Sequence, residues 1–175
     1  MLTKGYVQLY TGNGKGKTTA ALGLALRAAG AKLRTIMVQF MKGQHYNELD
    51  SLKQLSGLVV IEQHGSPHFC RPDDENLEHH HRLAQRGLSR SREVLADASY
   101  SLVILDEIVT ATLFQLVTIE EILDLIRLKP DNKELVITGR GATAELIEAC
   151  DLVTEMRAIK HYYDAGVGPR TGIEN

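Results

Sequence analysis

The sequence predicts an α/β protein built on a mostly parallel sheet of about six strands, and three observations carry that reading. Short apolar runs alternate with helical segments along the chain. The runs are continuously apolar rather than alternating with polar residues, and the first leads into a glycine-rich loop and an Ala- and Leu-rich helix. Alternation of strand and helix implies parallel pairing, and continuous apolarity implies a sheet covered on both faces. With 175 residues, 43% of them hydrophobic, the chain is read as a single domain over residues 1–175.

Taken in order, Tyr6 to Tyr10 reads as the first strand and Lys17 to Ala29 as the first helix, with Gly30 placed to end it. Thr35 to Phe40 (TIMVQF), Leu58 to Gln63 (LVVIEQ), Leu102 to Asp106 (LVILD), Glu134 to Thr138 (ELVIT) and Leu152 to Met156 (LVTEM) supply the other strands. The longest helical segment runs from about Asp73 to Ala98. Asp73, Asp74 and Glu75 open it, and Arg82, Arg86, Arg90 and Arg92 follow, a polarity that complements the helix dipole. Thr118 followed by Glu121 is a capping box, and Pro130 lies just past the end of the helix it starts. Met41 to Asn47, His64 to Pro72 and the chain after Ile159 read as the least structured parts.

The formal charge of −2 provides no broad basic field, which argues against nucleic acid or an anionic membrane as the main partner. No apolar run approaches a membrane span, and the N-terminus enters a strand without a charged and then apolar leader, so a cytoplasmic location is expected. Cys70 and Cys150 lie far apart and form no framework; both are read as reduced thiols, Cys150 as a packed one.

The segment Thr11 to Thr19 (TGNGKGKTT) reads as a phosphate-binding loop. Glycines at Gly12, Gly14 and Gly16 let successive N–H groups converge on an anion at the start of the next helix; Lys17 adds a point charge, and Thr18 a hydroxyl suited to Mg²⁺. The usual spacing of such loops puts a glycine at position 11, where this chain has Thr11. LVILDE ends a buried strand in two acids that point in different directions. One of Asp106 and Glu107 would hold Mg²⁺, directly or through water, and the other would orient a ligand or a water; in the competing reading Asp106 caps the following helix. Arg140, in TGRGA at the end of the fifth strand, lies on the same sheet edge and within reach of phosphate. His79, His80 and His81 read as solvated helix surface, since consecutive residues point to different sides and no tetrahedral ligand spacing is present. His68 stays open as a loop candidate. The tail is read either as a frayed end or as a carrier of Lys160, His161, Tyr162, Asp164 and Arg170.

In sequence, TGNGKGKTTAALG, VQFMKG (Val38 to Gly43), VILDEI (Val103 to Ile108), VITGRGA (Val136 to Ala142) and KHYYDAGV (Lys160 to Val167) resemble the ATP:corrinoid adenosyltransferases of the CobA/BtuR/CobO type, over nearly the whole chain. That resemblance implies a RecA-like P-loop fold, a homodimer and transfer of the 5′-deoxyadenosyl group of ATP to the Co(I) of a corrinoid. The products would be triphosphate and adenosylcobalamin, or the adenosylated cobinamide or cobyrinate diamide. A flavoprotein-type reductase would supply Co(I). Carried over by motif, Gly12, Asn13, Gly14, Lys15, Gly16, Lys17, Thr18 and Thr19 hold the phosphates with Arg140. Lys17 and Glu107 act in catalysis, Thr18 and Glu107 bind Mg²⁺ with Asp106 in support, and His68 and Phe69 face the corrinoid. Longer family members carry an N-terminal extension over the corrinoid, so here another element or a partner subunit is expected to close the site. Two other readings remain: a P-loop kinase or ATPase acting at the γ-phosphate, and a nucleotide-dependent module that binds corrinoid without chemistry.

Overall fold

All the strands run the same way, so all of their C-terminal ends meet on one edge of the sheet. In a computed structural model that describes residues 2–55, 57–68 and 76–174, β1 (Val7–Thr11), β2 (Thr35–Phe40), β3 (Val59–His64), β4 (Leu102–Asp106), β5 (Glu134–Thr138) and β6 (Leu152–Glu155) form a six-stranded sheet in the order β3-β2-β4-β5-β1-β6. Each pairing is parallel. The strands lie on the expected apolar runs, shifted by no more than one residue at an end. One strand, β5, separates β1 from β4, so the glycine-rich loop and Asp106 are brought level along the sheet edge with a strand's width between them.

The period-2 alternation inside the runs divides the core between the two faces. Ile36, Val38 and Phe40 of β2 pack with Val103, Leu105, Leu135 and Ile137 under α3 (Leu77–Ala96), α4 (Ile108–Leu113) and α5 (Ile119–Leu128). Met37 points the other way, joining Ile104 and Val136 under α1 (Lys17–Gly30). That helix meets the sheet with Ala21, Ala25, Ala28 and Ala29, whose small side chains let its backbone come close. Two shorter helices, α2 (Asn47–Lys53) and α6 (Ala144–Glu148), complete the set with a 3₁₀ turn at Tyr162–Ala165.

Coverage of both faces holds for the inner strands and fails at one edge, because all positions of β6 are exposed. Gly30, placed to end α1, is its last helical residue, one position further than expected. The chain turns at Lys32, which takes a left-handed φ of 61°. Lys32 N–H donates to Ala29 O at 2.9 Å and Leu33 N–H to Ala28 O at 3.0 Å, a Schellman closure built on a non-glycine residue. The capping box forms as expected: Thr118 accepts from Glu121 N–H, and the Glu121 carboxylate accepts from Thr118 N–H at 2.9 Å.

Within α3, described from Leu77, Asp73, Asp74 and Glu75 fall outside the described residues. Its far end is closed by Lys133, whose buried ammonium donates to Val94 O at 2.9 Å and Asp97 O at 2.6 Å. Arg90 crosses from α3 to β3, donating to both oxygens of Glu62 at 2.8 and 3.0 Å. The histidine triplet departs from the expected solvated surface at one position. His79 and His81 are exposed, whereas His80 is 4% exposed because the helix turns it inward. Among the described residues no group of three or more His, Cys, Asp or Glu is placed to hold a metal, and no helix is long and apolar enough to cross a membrane.

Replacing Lys32 by glycine removes the cost of a left-handed side-chain residue and is expected to stabilise the protein by about 0.5–1 kcal/mol. Urea unfolding checks this as a higher midpoint at unchanged slope.

Candidate active site

The glycine-rich loop begins one residue later than the usual spacing implies, and that explains Thr11. Thr11 is still in β1, buried and in register with Glu155 of β6, so no left-handed backbone is needed there. The turn starts at Gly12, with φ 96°, where a Cβ would lie 2.5 Å from Met156 O. Behind the loop, Gly14 N–H donates to Met156 O at 2.6 Å and Met156 N–H to Thr11 O at 2.8 Å. The exposed edge strand therefore positions the segment that backs the phosphate loop. Since α1 starts at Lys17, the first N–H groups of its opening turn have no partner within the helix.

Lys17 is folded into the loop, its ammonium donating to Gly12 O at 2.8 Å and Gly14 O at 2.9 Å. Burial pulls its pKa below the usual lysine value; Glu107 and Asp106 oppose this, and Arg140 adds to it. An anion in the cradle would offset the desolvation that Lys17 bears.

Asp106, fully buried at the end of β4, joins four donors. Its Oδ1 accepts from the hydroxyls of Thr18 at 2.9 Å and Thr138 at 2.8 Å. Its Oδ2 accepts from Lys42 Nζ at 2.7 Å and Gln39 Nε2 at 3.2 Å. The helix-capping reading is therefore wrong: the cap position of α4 is Glu107, and no side chain caps that helix. Lys42 also donates to Thr18 Oγ1 at 3.1 Å. Burial alone would lower the Lys42 pKa, but the charge and hydrogen bond of Asp106 outweigh it, with help from Glu107, and hold the pKa above the usual value.

Glu107 points elsewhere, as adjacent residues at a strand end must. It adopts a left-handed φ of 61°, its N–H donates to Thr138 Oγ1 at 2.9 Å, and its carboxylate accepts from the Thr110 hydroxyl. That hydroxyl also accepts from Arg140 N–H at 2.9 Å, and the Arg140 guanidinium donates to Asn13 O at 3.0 Å. The sequence-predicted residues Lys15, Gly16, Lys17, Thr18, Thr19, Glu107 and Arg140 all line one cleft of about 530 Å³, with Gly14.

Residues not foreseen as part of the site also line it. Lys42 and Tyr46 come from the irregular segment after β2, which ends one residue earlier than expected, and Glu48 and Ser51 from α2, which starts at Asn47. Gln39 and Thr138 stand behind them through Asp106; the signals in the sequence were a glutamine inside the otherwise apolar run TIMVQF and the strings VQFMKG and VITGRGA, which contain Gln39, Lys42 and Thr138. His161, Gly172, Ile173 and Glu174 of the tail complete the lining, so this end is folded back rather than frayed. Lys15 donates to Ile173 O at 3.0 Å, while Glu174 accepts from Arg170 at 3.1 Å and from the Tyr162 hydroxyl. Those hydrogen bonds, Arg170 first and then Tyr162, hold the Glu174 carboxyl down to about 2.

His68 does not line the cleft; its N–H donates to Ser66 Oγ at 3.1 Å. The loop carrying it is tied to the β2–α2 segment by Gln44, which donates to Pro67 O at 2.6 Å. Phe69 and Cys70 fall outside the described residues. Cys150 is a half-buried thiol that burial, with Asp151 adding, pushes up to about 11, which keeps it protonated as a packed residue.

A parallel sheet with helices on its faces, a glycine loop opening into a helix, and a buried strand ending in Asp-Glu on the same edge define a P-loop α/β protein. The chain belongs to the ATP:corrinoid adenosyltransferase BtuR/CobO/CobP family, whose model matches residues 3–175. It is similar to the corrinoid adenosyltransferase of Escherichia coli strain K12, 34% identical over 171 residues that span 98% of this chain and 86% of that protein. Salmonella typhimurium corrinoid adenosyltransferase CobA is 32% identical over 98% of this chain and 86% of its own length. The corrinoid adenosyltransferase of Pseudomonas aeruginosa is 31% identical, over 98% and 84% respectively.

Asp106→Ala strips four donors of their acceptor and leaves the half-buried Lys42 charge without its counter-ion. A stability loss of about 3–5 kcal/mol is expected in urea unfolding; a loss below about 1 kcal/mol would show the network to be dispensable.

Proposed function

We propose that this chain transfers the 5′-deoxyadenosyl group of ATP to the Co(I) of a corrinoid. The electron pair of Co(I) becomes the cobalt–carbon bond, the C5′–oxygen bond of ATP breaks, and triphosphate leaves with that bond's electrons. The observation that carries the reading is the family match, which runs through every segment lining the cleft, from the phosphate loop to the tail. The nucleophile is supplied by the substrate, so the protein's part is positioning and stabilisation of charge on the leaving group.

In this reading the loop from Gly12 to Thr19 cradles the triphosphate. Lys17 exchanges its loop carbonyls for phosphate oxygens, and Arg140 approaches from β5. Thr18 and Glu107 offer a hydroxyl and a carboxylate at the cleft, hard oxygen donors that fit Mg²⁺, which would neutralise phosphate charge when bound. The corrinoid approaches from the side of the loop that follows β3, which leaves the same sheet edge as the phosphate loop and carries His68; the family resemblance assigns Phe69 to the corrinoid as well. We place the enzyme in the cytoplasm, acting as a homodimer and fed by a flavoprotein-type reductase that supplies Co(I).

Incubation with Mg-ATP and chemically reduced cobalamin tests the proposal. Expected products are a cobalt–carbon bond, seen in the visible spectrum, and triphosphate in equal amount. ADP or orthophosphate without alkylated corrinoid would establish phosphoryl transfer instead, and binding of both ligands without turnover would establish a carrier. Lys17→Ala removes a charge-assisted phosphate contact of about 1.5–3 kcal/mol, so kcat/KM for ATP is expected to fall by about tenfold to a hundredfold.

A further inference from the structure

Asp106 is saturated. A carboxylate offers about four acceptor positions, and here Oδ1 takes Thr18 and Thr138 while Oδ2 takes Lys42 and Gln39. The side chain is fully buried, so no further group can approach without displacing one of these. Lys42 is in the opposite situation. Two of its three ammonium protons are accounted for by Asp106 at 2.7 Å and Thr18 at 3.1 Å, and the third has no hydrogen-bond acceptor among the described residues. The side chain is 15% exposed and lines the cleft beside the phosphate loop, with its ammonium 5.4 Å from the centre of the Tyr46 ring.

The backbone holds this lysine in place from both sides. Met41, just before it, has a left-handed φ of 59°. Next to it the β2–α2 segment presses against the loop after β3, so closely that a Cβ on Gly65 would lie 2.3 Å from Lys42 N. A lysine ordinarily gives up much rotamer freedom when it grips a ligand. Lys42 is already ordered by two hydrogen bonds and a fixed backbone, so that cost is met on folding.

We propose that Lys42 is a second triphosphate-binding lysine, reaching the nucleotide from the segment after β2, and that Asp106 is its counter-ion and anchor rather than a metal ligand. The divalent ion is then left to Glu107, Thr18 and the phosphate oxygens. The proposal rests on the adenosyl-transfer reading only for what becomes of the triphosphate, since two lysines on different elements fix the leaving group from two directions.

Calorimetric titration of ATP in EDTA, without corrinoid, tests the contact directly. Lys42→Met is expected to weaken metal-free ATP binding by about tenfold or more. The double variant Lys42→Met/Asp106→Asn removes both charges together and so avoids stranding a buried carboxylate. Its ATP affinity is expected to stay as low as that of Lys42→Met. Recovery to within about twofold of the native protein would show that Lys42 only neutralises Asp106, and would overturn the proposal. If the single variant does not fold, the double variant alone decides by the same comparison with the native protein. Electron paramagnetic resonance of Mn²⁺ added to the ATP complex tests the other half. Glu107→Gln is expected to lower Mn²⁺ affinity by about tenfold. With aspartate carboxylates labelled with ¹³C, electron–nuclear double resonance is expected to show no ¹³C coupling from a directly bound aspartate; a coupling that disappears in Asp106→Asn would make Asp106 a metal ligand and overturn the assignment. No corrinoid is present in either measurement, so they remain informative if the product assay shows that a different bond of ATP is broken.

Discussion

One carboxylate, Asp106, connects the parts of the molecule that form the cleft. Its four partners come from α1, from β2, from the segment just after β2, and from β5, and each is a neighbour only because of the sheet order. A buried charge of this kind is tolerated when every lone pair is used, and here each one is. The consequence is geometric. Thr18 on the phosphate loop, Lys42 beside it and Thr138 under Glu107 cannot shift independently, because each is fixed to the same two oxygen atoms.

The hydroxyl of Thr138 passes this constraint outward. It donates to Asp106 and accepts from the Glu107 backbone, while Thr110 holds the Glu107 carboxylate and the Arg140 backbone together. Arg140 in turn reaches Asn13 in the phosphate loop. A closed chain of hydrogen bonds thus runs from the loop through β4 and β5 and back to the loop, which is how a site on four separated segments keeps one shape.

Much of this was legible in the sequence where the signal is local. The glycine loop, LVILDE, TGRGA and the Thr118 capping box are each set by neighbouring residues, and the structure places all of them as read. What escaped depends on pairing between distant segments. Lys42 is an ordinary lysine in a loop until β2 is known to lie beside β4, and Thr138 is an ordinary strand end until β5 is known to separate β4 from β1. Thr11 looked like an irregularity because spacing counts residues, whereas the loop starts where the strand lets go. Position decided His80 in the same way: composition makes three histidines alike, and the turn of α3 buries one of them. The exposed face of β6 shows the limit of reading coverage from an apolar run, since LVT is as apolar at an edge as in the middle.

The backing of the phosphate loop by Met156 has a consequence for how the molecule comes into being. β1 is made first, yet its partners are β5 and β6, with Val7 paired to Leu135 and Gln8 to Leu152. The most local of motifs is therefore completed by the least local of contacts, and contacts of long sequence separation form late. A nascent chain that has already displayed TGNGKGKTT has no shaped cradle until β6 and Met156 have emerged as well. A chain cut short of β6 would carry the motif without its backing.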